Sequence, residues 1–295
     1  MSILLRTMQT ASAQTGGLLV SVLSSVNNRP IENAVVTISY TGNPNNIIEQ
    51  VRTNSSGQTE LLSLSAPPLE YSMEPGIEQP YSEYTLNVTA EGFEPFDISG
   101  TEVLPNNNSV QEIHLDPITP TGHGTNLVIP AHTLYGNYPP KIAEAEIKPL
   151  DESGEIVLSR VVIPEYIVVH DGAPTDSSAQ NHYVLYRDYI KNVASSEIYA
   201  TWPTSTITAN VLAIMSFTLN RVYTEWYRNK GFNFTITSST AFDHKWINGR
   251  NIFDTISLVV DEIFDQYLAR PDVKQPILTQ YCDGRRSTCP NWMTE

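Results

Sequence analysis

Basic residues are scarce in this sequence. Lysine and arginine together number 17, against 32 aspartates and glutamates, and the formal net charge is −15. The excess is strongest near the N-terminus, where residues 1–120 contain 3 basic and 13 acidic residues. A chain with this balance repels polyanions, so we expect no partner that is bound through bulk positive charge, duplex nucleic acid above all.

Cysteines and long apolar segments are scarce too. Two cysteines in 295 residues are too few for a disulfide scaffold. No apolar run is long enough to cross a membrane, and the start, MSILLRTMQT, lacks the basic region and the apolar core of a signal peptide. We therefore expect no membrane insertion. A substrate outside the cell would require another export route, delivery on an assembled particle, or a leader that has been trimmed.

The residues that are abundant indicate folded domains. Hydrophobic residues make up 40% of the chain and charged residues 17%, which argues against disorder. The length suits two domains. We predict a multidomain protein with an N-terminal arm over residues 1–16, an all-β sandwich over 17–116, a connector over 117–160 and an α+β domain over 161–295.

The predicted sandwich depends on short segments of alternating polarity, such as GLLVSVLSS and EYTLNVTA, separated by turn residues. The order of these segments resembles the carboxypeptidase regulatory-like, transthyretin-type domain. The matching residues are Pro30, Ala34, Val36, Thr53, Gly57, Tyr84, Val88, Gly92 and Phe93. This resemblance implies a stalk, spacer or adhesion module that could bind protein partners and has no catalytic grouping of its own.

The connector is punctuated by proline and glycine. Its apolar run LVIPAHTL contains Pro130, which predicts an edge strand or coil, and residues 142–150 could form only a short helix. Its two histidines, His123 and His132, are predicted to be solvated loop residues without a ligand role.

The C-terminal part has mixed α/β patterning. VVIPEYIVVHDG predicts a strand, TDSSAQNHY a polar loop, and the apolar spacing in YRDYIKNVASSEIY a helix that ends at Glu197. A long helix is predicted from residues 203–205 to Gly231, and another from about Asn251 to Arg270. FNFTI and QPILTQY are predicted as strands.

Glu197 is the candidate catalyst, because it is an isolated carboxylate between two predicted helices with Tyr199 and Trp202 beside it. Apolar rings around a carboxyl group raise its pKa, so that the acid keeps its proton until it meets a glycosidic oxygen. The stretch resembles the sporulation protein D/LytB family of peptidoglycan lytic transglycosylases. The matching residues are Tyr189, Ile190, Val193, Ala194, Glu197, Ile198, Trp202, Pro203, Ile207, Ala209, Asn210, Ala213, Ser216 and Phe217.

The resemblance continues through FTITSSTAFDHKW and TQYCDGRRSTCP and implies the family's fold over residues 161–295. It also implies the family's reaction. The 6-hydroxyl of a MurNAc residue attacks the anomeric carbon, while one glutamate, here Glu197, acts first as acid and then as base and leaves a 1,6-anhydro end. The family's helix arginine falls on Met215, its glutamine on His244, and its glycine pair on Asp283-Gly284.

The other site candidates could stack on sugar faces or form hydrogen bonds with them. They are Ser195, Tyr199, Trp202, Ser239, Thr240, Asp243, His244, Trp246, Tyr281 and Arg285. A core role is the alternative for each aromatic residue. Asp243 is either a second carboxylate of the site or a residue that caps a turn.

The two cysteines leave three alternatives open. Cys282 and Cys289 are separated by six residues, which is wider than the usual zinc chelate. Together with His244 they could hold zinc, as some members of the resembled family do. They could instead form a disulfide or remain free thiols, and the implied reaction requires no cofactor.

Two functions remain open at this point. The first is a lytic transglycosylase that cleaves peptidoglycan in the bacterial cell wall or outside the cell. The second is a non-catalytic glycan-binding or structural component of a phage tail or injection device. The surroundings of Glu197 favour the first, and the changed positions Met215 and His244 favour the second. CPNWMTE ends without a closing element, so a natural chain that continues past Glu295 is a further open alternative.

Overall fold

The computed structural model describes residues 14–73, 78–134, 138–148, 158–282 and 293–294. Within these residues the chain forms a β-sandwich followed by a part in which helices and short strands alternate. None of the helices found in the described ranges is long and apolar enough to cross a membrane.

The N-terminal half contains mostly strands. Its elements are β1 (Gln14–Ser24), β2 (Val35–Tyr40), β3 (Ile47–Arg52), β4 (Leu62–Ala66), α1 (Glu70–Met73), β5 (Ser82–Thr89), β6 (Phe96–Val103), β7 (Asn108–Leu115) and β8 (Thr125–Val128). Buried and less buried residues alternate along β2 and β5, because successive side chains of a strand point to opposite faces of the sheet.

These strands form two sheets around one apolar core. One sheet has the order β3-β2-β5-β6-β8, and the other contains β7-β1-β4. Side chains from both sheets, among them Val20, Val36 and Leu86, belong to a single buried cluster. The alternating pattern therefore predicted the sandwich correctly. β8 lies inside the predicted connector and is an edge strand that stops before Pro130, as a run broken by proline should.

The C-terminal half contains the longer helices. Its elements are β9 (Tyr166–His170), β10 (Asn181–Leu185), α2 (Tyr186–Glu197), α3 (Thr204–Tyr223), β11 (Ile236–Thr237), β12 (Ile252–Phe253), α4 (Asp254–Ile263), β13 (Tyr281–Cys282) and β14 (Met293–Thr294). A three-stranded sheet has the order β10-β9-β11. The helices α2, α3 and α4 pack against one another around a second apolar core.

Helix α3 is the centre of that core. Every residue from 213 to 221 is buried, including all of the polar ones. Several of their polar atoms find partners nearby, for example in the bonds from Ser216 Oγ to Leu212 O at 2.7 Å and from Asn220 Nδ2 to Pro276 O at 2.8 Å. Asn220 Oδ1 has no hydrogen-bond partner among the described residues. Buried polar groups that find such partners can be accommodated in a core.

The two halves share strands and core residues. Strand β12 pairs with β7 and so extends a sheet of the sandwich. Tyr81 and Leu104 from the N-terminal half belong to the C-terminal core, and Ile247 belongs to the core of the sandwich. The division at residues 117–160 into separately folding domains stays a prediction, and the halves are in extensive contact.

Several predicted boundaries differ from the structure. The helix α3 ends at Tyr223, near Glu225 with its positive φ of 47°. Gly231, at φ 84°, ends the short 3-10 helix Arg228–Lys230 instead. FNFTI contributes only its last residue, Ile236, to β11, and QPILTQY contributes only the first residue of β13.

Two further differences come from pairing with other elements. The polar segment predicted as a loop ends inside β10, whose first three residues it contains and which forms a ladder with β9. The second long helix begins only at Asp254, because the two residues before it pair with β7 of the sandwich, and it ends at Ile263. Each pairing partner lies outside the short segment from which the prediction was made.

Candidate active site

The carboxyl group of Glu197 is held by two hydrogen bonds at the end of α2. The amide N–H of Lys245 donates to Oε1 at 2.6 Å, and the hydroxyl of Tyr281 donates to Oε2. Glu197 itself is partly buried. Both donors come from segments far along the chain, so only the tertiary fold brings them to this carboxyl group.

The surroundings of Glu197 favour its protonated form. Burial is the largest effect and raises the pKa of Glu197 above its usual range, because a charged carboxylate loses hydration there. The hydrogen bonds from Lys245 and Tyr281, followed by the charges of Lys141 and Lys245, lower the pKa but do not cancel the rise. A carboxyl group with a raised pKa keeps its proton to a higher pH, which is what a general acid requires.

Lys141, from the predicted connector, is a cation whose charge lowers the pKa of Glu197 and which no sequence motif indicated. Its Nζ donates to the backbone oxygen of Asp243 and lies 4.9 Å from the ring centroid of Phe217 and 5.5 Å from that of Tyr281. Burial lowers the pKa of Lys141 to about 8, although the charges of Asp243 and Glu197 act in the opposite direction. Its only sequence signal is that it is the first lysine of the chain.

His244 lies beside this group and is fully buried. Its Nδ1 is 3.0 Å from the hydroxyl of Tyr189, and its ring centroid is 4.6 Å from that of Phe217 and 6.0 Å from that of Tyr281. Burial, followed by the charges of Lys141 and Arg221, holds the pKa of His244 well below its usual range, so the ring is neutral. Its Nε2 has no hydrogen-bond partner among the described residues.

Asp243, the candidate second carboxylate of the site, is bound within the core. It is 1% exposed, and its Oδ1 accepts a bond from Arg221 Nε at 2.7 Å. Its Oδ2 accepts bonds from the hydroxyls of Tyr227 and Thr237, each at 2.6 Å, and from the amide of Thr237 at 2.9 Å. The same guanidinium binds Glu144 through two bonds of 2.7 Å. With both oxygens occupied, Asp243 stabilises the core and offers nothing to a substrate.

Tyr199 and Trp202 face the sandwich. Tyr199 is buried, and its hydroxyl donates to the backbone oxygen of His132 at 3.2 Å. Trp202 is partly buried and donates from Nε1 to the backbone oxygen of Ser72 at 2.8 Å. Their rings meet edge to face at 5.9 Å. Their use as sugar-stacking surfaces stays a prediction, and each ring already has a packing partner.

The other predicted contacts are dispersed. Ser195 is fully buried and accepts a long bond of 3.4 Å from the amide of Phe253, and Trp246 is 6% exposed and packs on His182. Ser239 and Thr240 are partly exposed in the turn before Asp243. Arg285 lies outside the described residues. Among the predicted contacts, Tyr281 bonds directly to Glu197, and His244 packs against Tyr281.

The cysteines do not fit a zinc site in this structure. Cys282 is in a disulfide, and Cys289, the only other cysteine of the sequence, lies outside the described residues. A cysteine in a disulfide has no thiolate to offer a metal. Among the described residues, no three histidine, cysteine, aspartate or glutamate side chains converge on a possible ion site. A zinc site with His244 would require the reduced protein.

His132 was predicted to be solvated and is wholly buried instead. Its Nδ1 is 3.1 Å from Oε2 of Glu102, which also meets Arg250 Nη1 at 2.6 Å through Oε1. Both partners lie far from the connector in sequence, so no local pattern indicates this pairing. His123 is exposed, as predicted.

Comparisons with protein-family models and with curated proteins found no match. Among solved structures, the 5-hydroxyisourate hydrolase of Klebsiella pneumoniae is 15% identical, with a TM-score of 0.23, over 35% of this chain and 92% of that one. The minor pilin GBS52 of Streptococcus agalactiae is 13% identical, with a TM-score of 0.27, over 40% of this chain and 49% of that one. The TIE protein of Bacillus anthracis is 17% identical, with a TM-score of 0.24, over 36% of this chain and 17% of that one.

At these TM-scores the likenesses carry no argument about fold or activity. The transthyretin-type resemblance of the N-terminal part still depends on its sequence motifs and on its own two sheets.

Proposed function

We propose that the protein is a peptidoglycan lytic transglycosylase in which Glu197 is the general acid and base. The observation that carries the proposal is a carboxyl group whose oxygens accept bonds from two neutral donors, the Lys245 amide and the Tyr281 hydroxyl. Because neither donor carries a charge at its bonding atom, burial dominates and the pKa of Glu197 is raised. The sequence resemblance around Glu197 supplies the reaction class.

In the proposed reaction, protonated Glu197 gives its proton to the glycosidic oxygen between MurNAc and GlcNAc as that bond breaks. The resulting carboxylate then takes the proton of the MurNAc 6-hydroxyl while the hydroxyl oxygen bonds to the anomeric carbon. The products are a 1,6-anhydro-MurNAc end and a free hydroxyl on GlcNAc. No water is consumed, and Glu197 ends protonated, as it began.

The neighbouring acids are held in ion pairs, which supports a reaction with a single catalytic carboxylate. A two-carboxylate glycosidase needs a second acid free to act on the other side of the sugar. Asp243 and Glu144 are both bound to Arg221. Like Glu197, they are acids whose charges raise the pKa of Lys141. Neither is free to act as a nucleophile or to activate water.

The proposal places the protein at the bacterial cell wall or outside the cell, alone or on a particle, with glycan strands as its partner. The alternative is a glycan-binding or structural component of a phage tail or injection device that makes no cut. The transglycosylase and the glycan-binding form of the alternative both require glycan to bind the C-terminal part of the chain. They differ in whether new chain ends appear.

The test is digestion of purified peptide-free glycan, with the products analysed by mass spectrometry. We expect fragments with 1,6-anhydro-MurNAc ends from the wild-type protein and none from Glu197→Gln. Glu262→Gln is the matched control, since Glu262 is an exposed glutamate on α4. Reducing ends would indicate a hydrolase. Glycan that is bound but uncut would support the non-catalytic alternative.

A further inference from the structure

The segment between α2 and α3, residues 198–203, begins directly after Glu197 and lies against the N-terminal half. Thr201 Oγ1 bonds to Ser72 Oγ at 2.8 Å, and Trp202 Nε1 donates to Ser72 O at 2.8 Å. Ser72 belongs to α1, between two strands of the sandwich. The end of this segment is therefore attached to the N-terminal half by two short bonds.

Asn107 attaches the middle of the same segment. Its Nδ2 donates to the backbone oxygen of Ala200 at 3.1 Å and to Thr255 Oγ1 at 2.7 Å. Asn107 precedes β7 and is 9% exposed, so both bonds are largely shielded from water. One amide group of the N-terminal half thus joins the segment after Glu197 to the first turn of α4.

The segment that contains Lys245, a donor to the Glu197 carboxyl group, is also attached to earlier residues of the chain. Lys245, whose amide binds Glu197, donates from Nζ to the backbone oxygen of Ala131 at 3.0 Å. The neighbouring His132 is fixed by Glu102, and its backbone oxygen accepts the bond from Tyr199. The segments on both sides of the carboxyl group therefore depend on residues from before position 135.

Glu102 fixes the relative position of these parts. Asn251 donates from Nδ2 to Glu102 O at 2.8 Å and accepts from the Glu102 amide at 3.1 Å. The Glu102 side chain contacts Arg250 and His132, and all four residues are buried. Buried polar contacts of this kind are directional and stabilise one arrangement over others.

We propose that the β-sandwich is part of the active site, with Asn107 as a positioning residue that sets the place of the Glu197 carboxyl group. This goes beyond the spacer role implied by its sequence motifs. It depends on the proposed function only for the activity measurement below.

The experiment compares Asn107→Ala with Asn87→Ala. Asn87 also donates from its side-chain amide, to Asp97 Oδ1 at 2.9 Å, but this bond joins β5 and β6 within one sheet of the sandwich. Displacing a reacting group by about 1 Å can cost on the order of 100-fold in rate. We expect Asn107→Ala to lower kcat by about tenfold or more with little change in KM, and Asn87→Ala to leave kcat unchanged.

A second measurement is independent of cleavage. The carboxyl carbon of Glu197 can be followed by NMR in protein labelled with ¹³C at glutamate Cδ, and its signal is the one lost in Glu197→Gln. We expect its titration midpoint to move in Asn107→Ala by more than the spread of replicate titrations, and to stay in place in Asn87→Ala. If the wild-type protein does not cut glycan, this titration alone decides the inference.

The inference is overturned if Asn107→Ala lowers the melting temperature but leaves both kcat and the Glu197 midpoint as in wild type. If Asn107→Ala does not fold, Trp202→Phe replaces it. That variant keeps an aromatic ring but loses the bond to Ser72, and the same two measurements apply.

Discussion

Two buried regions of this protein each contain a glutamate, and the two glutamates meet opposite surroundings. Glu102, on β6, faces the guanidinium of Arg250 at 2.6 Å. Glu197, on α2, accepts bonds from an amide and a phenol. Burial by itself would raise the pKa of both. At Glu102 burial is the largest single effect, but the charge of Arg250 and the contacts with His132 together outweigh it and lower the pKa. At Glu197 burial prevails and raises the pKa.

This difference separates a structural acid from a candidate catalytic one. A carboxylate paired with a guanidinium stays ionised and holds two parts of the chain together. A buried carboxyl group with neutral donors can hold a proton and release it within a reaction. The same substitution, glutamate to glutamine, should therefore affect activity at one position and stability at the other.

The largest effect is expected for Glu197→Gln. Glutamine retains the shape and can accept the bond from Lys245, but it cannot give up and regain a proton. We expect glycan cleavage to fall by about 10²–10⁴ with little loss of folding stability. Rates of release of anhydro ends, together with urea unfolding curves, measure the two quantities. Unchanged cleavage in a stably folded variant would rule out Glu197 as the catalyst.

Glu102→Gln should give the opposite result. Removing one charge of a buried pair leaves Arg250 uncompensated, which typically costs about 3–5 kcal/mol of unfolding free energy. Urea unfolding of Glu102→Gln beside Glu197→Gln measures this difference directly. Equal and small losses in both variants would contradict the distinction between the two regions.

The pH dependence of stability differs between the two glutamates in sign. Glu102 has a lowered folded pKa, so its contribution is complete above the unfolded pKa and is lost as the pH falls through the folded value. Glu197 has a raised folded pKa, so it favours folding below the unfolded pKa, and that contribution is lost as the pH rises through the folded value. Each dependence should disappear in the corresponding glutamine variant.

A smaller effect is expected for Tyr281→Phe. The variant keeps the ring that packs beside His244 and Lys141 but loses the hydroxyl that donates to Glu197. Hydrogen bonds to charged groups contribute about 1.5–3 kcal/mol, so we expect a loss of roughly 10- to 100-fold in kcat. The pKa of Glu197 should also rise, because this bond lowers it in the wild type. Wild-type kcat in Tyr281→Phe would mean that the hydroxyl is not needed in the reaction.

The smallest effect concerns Lys141. Its positive charge lowers the pKa of Glu197, so Lys141→Met should raise that pKa and move the alkaline limb of kcat/KM to higher pH. Lys141→Arg keeps the charge and should keep the limb near the wild-type position. The comparison applies below about pH 8, where Lys141 is protonated. A limb at the same pH in both variants would show that the charge does not reach Glu197.

Local sequence patterns predicted the sandwich of the N-terminal half and two helices of the C-terminal half. Alternating segments indicated the sandwich, and helical spacing indicated that α2 ends at Glu197 and that a long helix follows. These features depend on residues a few positions apart, which a sequence shows directly. The same patterns did not indicate β10 or β12, because a short strand forms only when a partner strand is present.

The sequence by itself determined which carboxylate to examine, and the tertiary structure alone decided what surrounds it. Lys141, Lys245 and Tyr281 reach Glu197 from positions 48 or more residues away in the chain. Asp243, the candidate second carboxylate, is paired with Arg221 in the core, so it is not a free acid beside Glu197. The physical reason is that burial and charge pairing set the pKa of a carboxyl group, and both depend on side chains that meet only after the chain has folded.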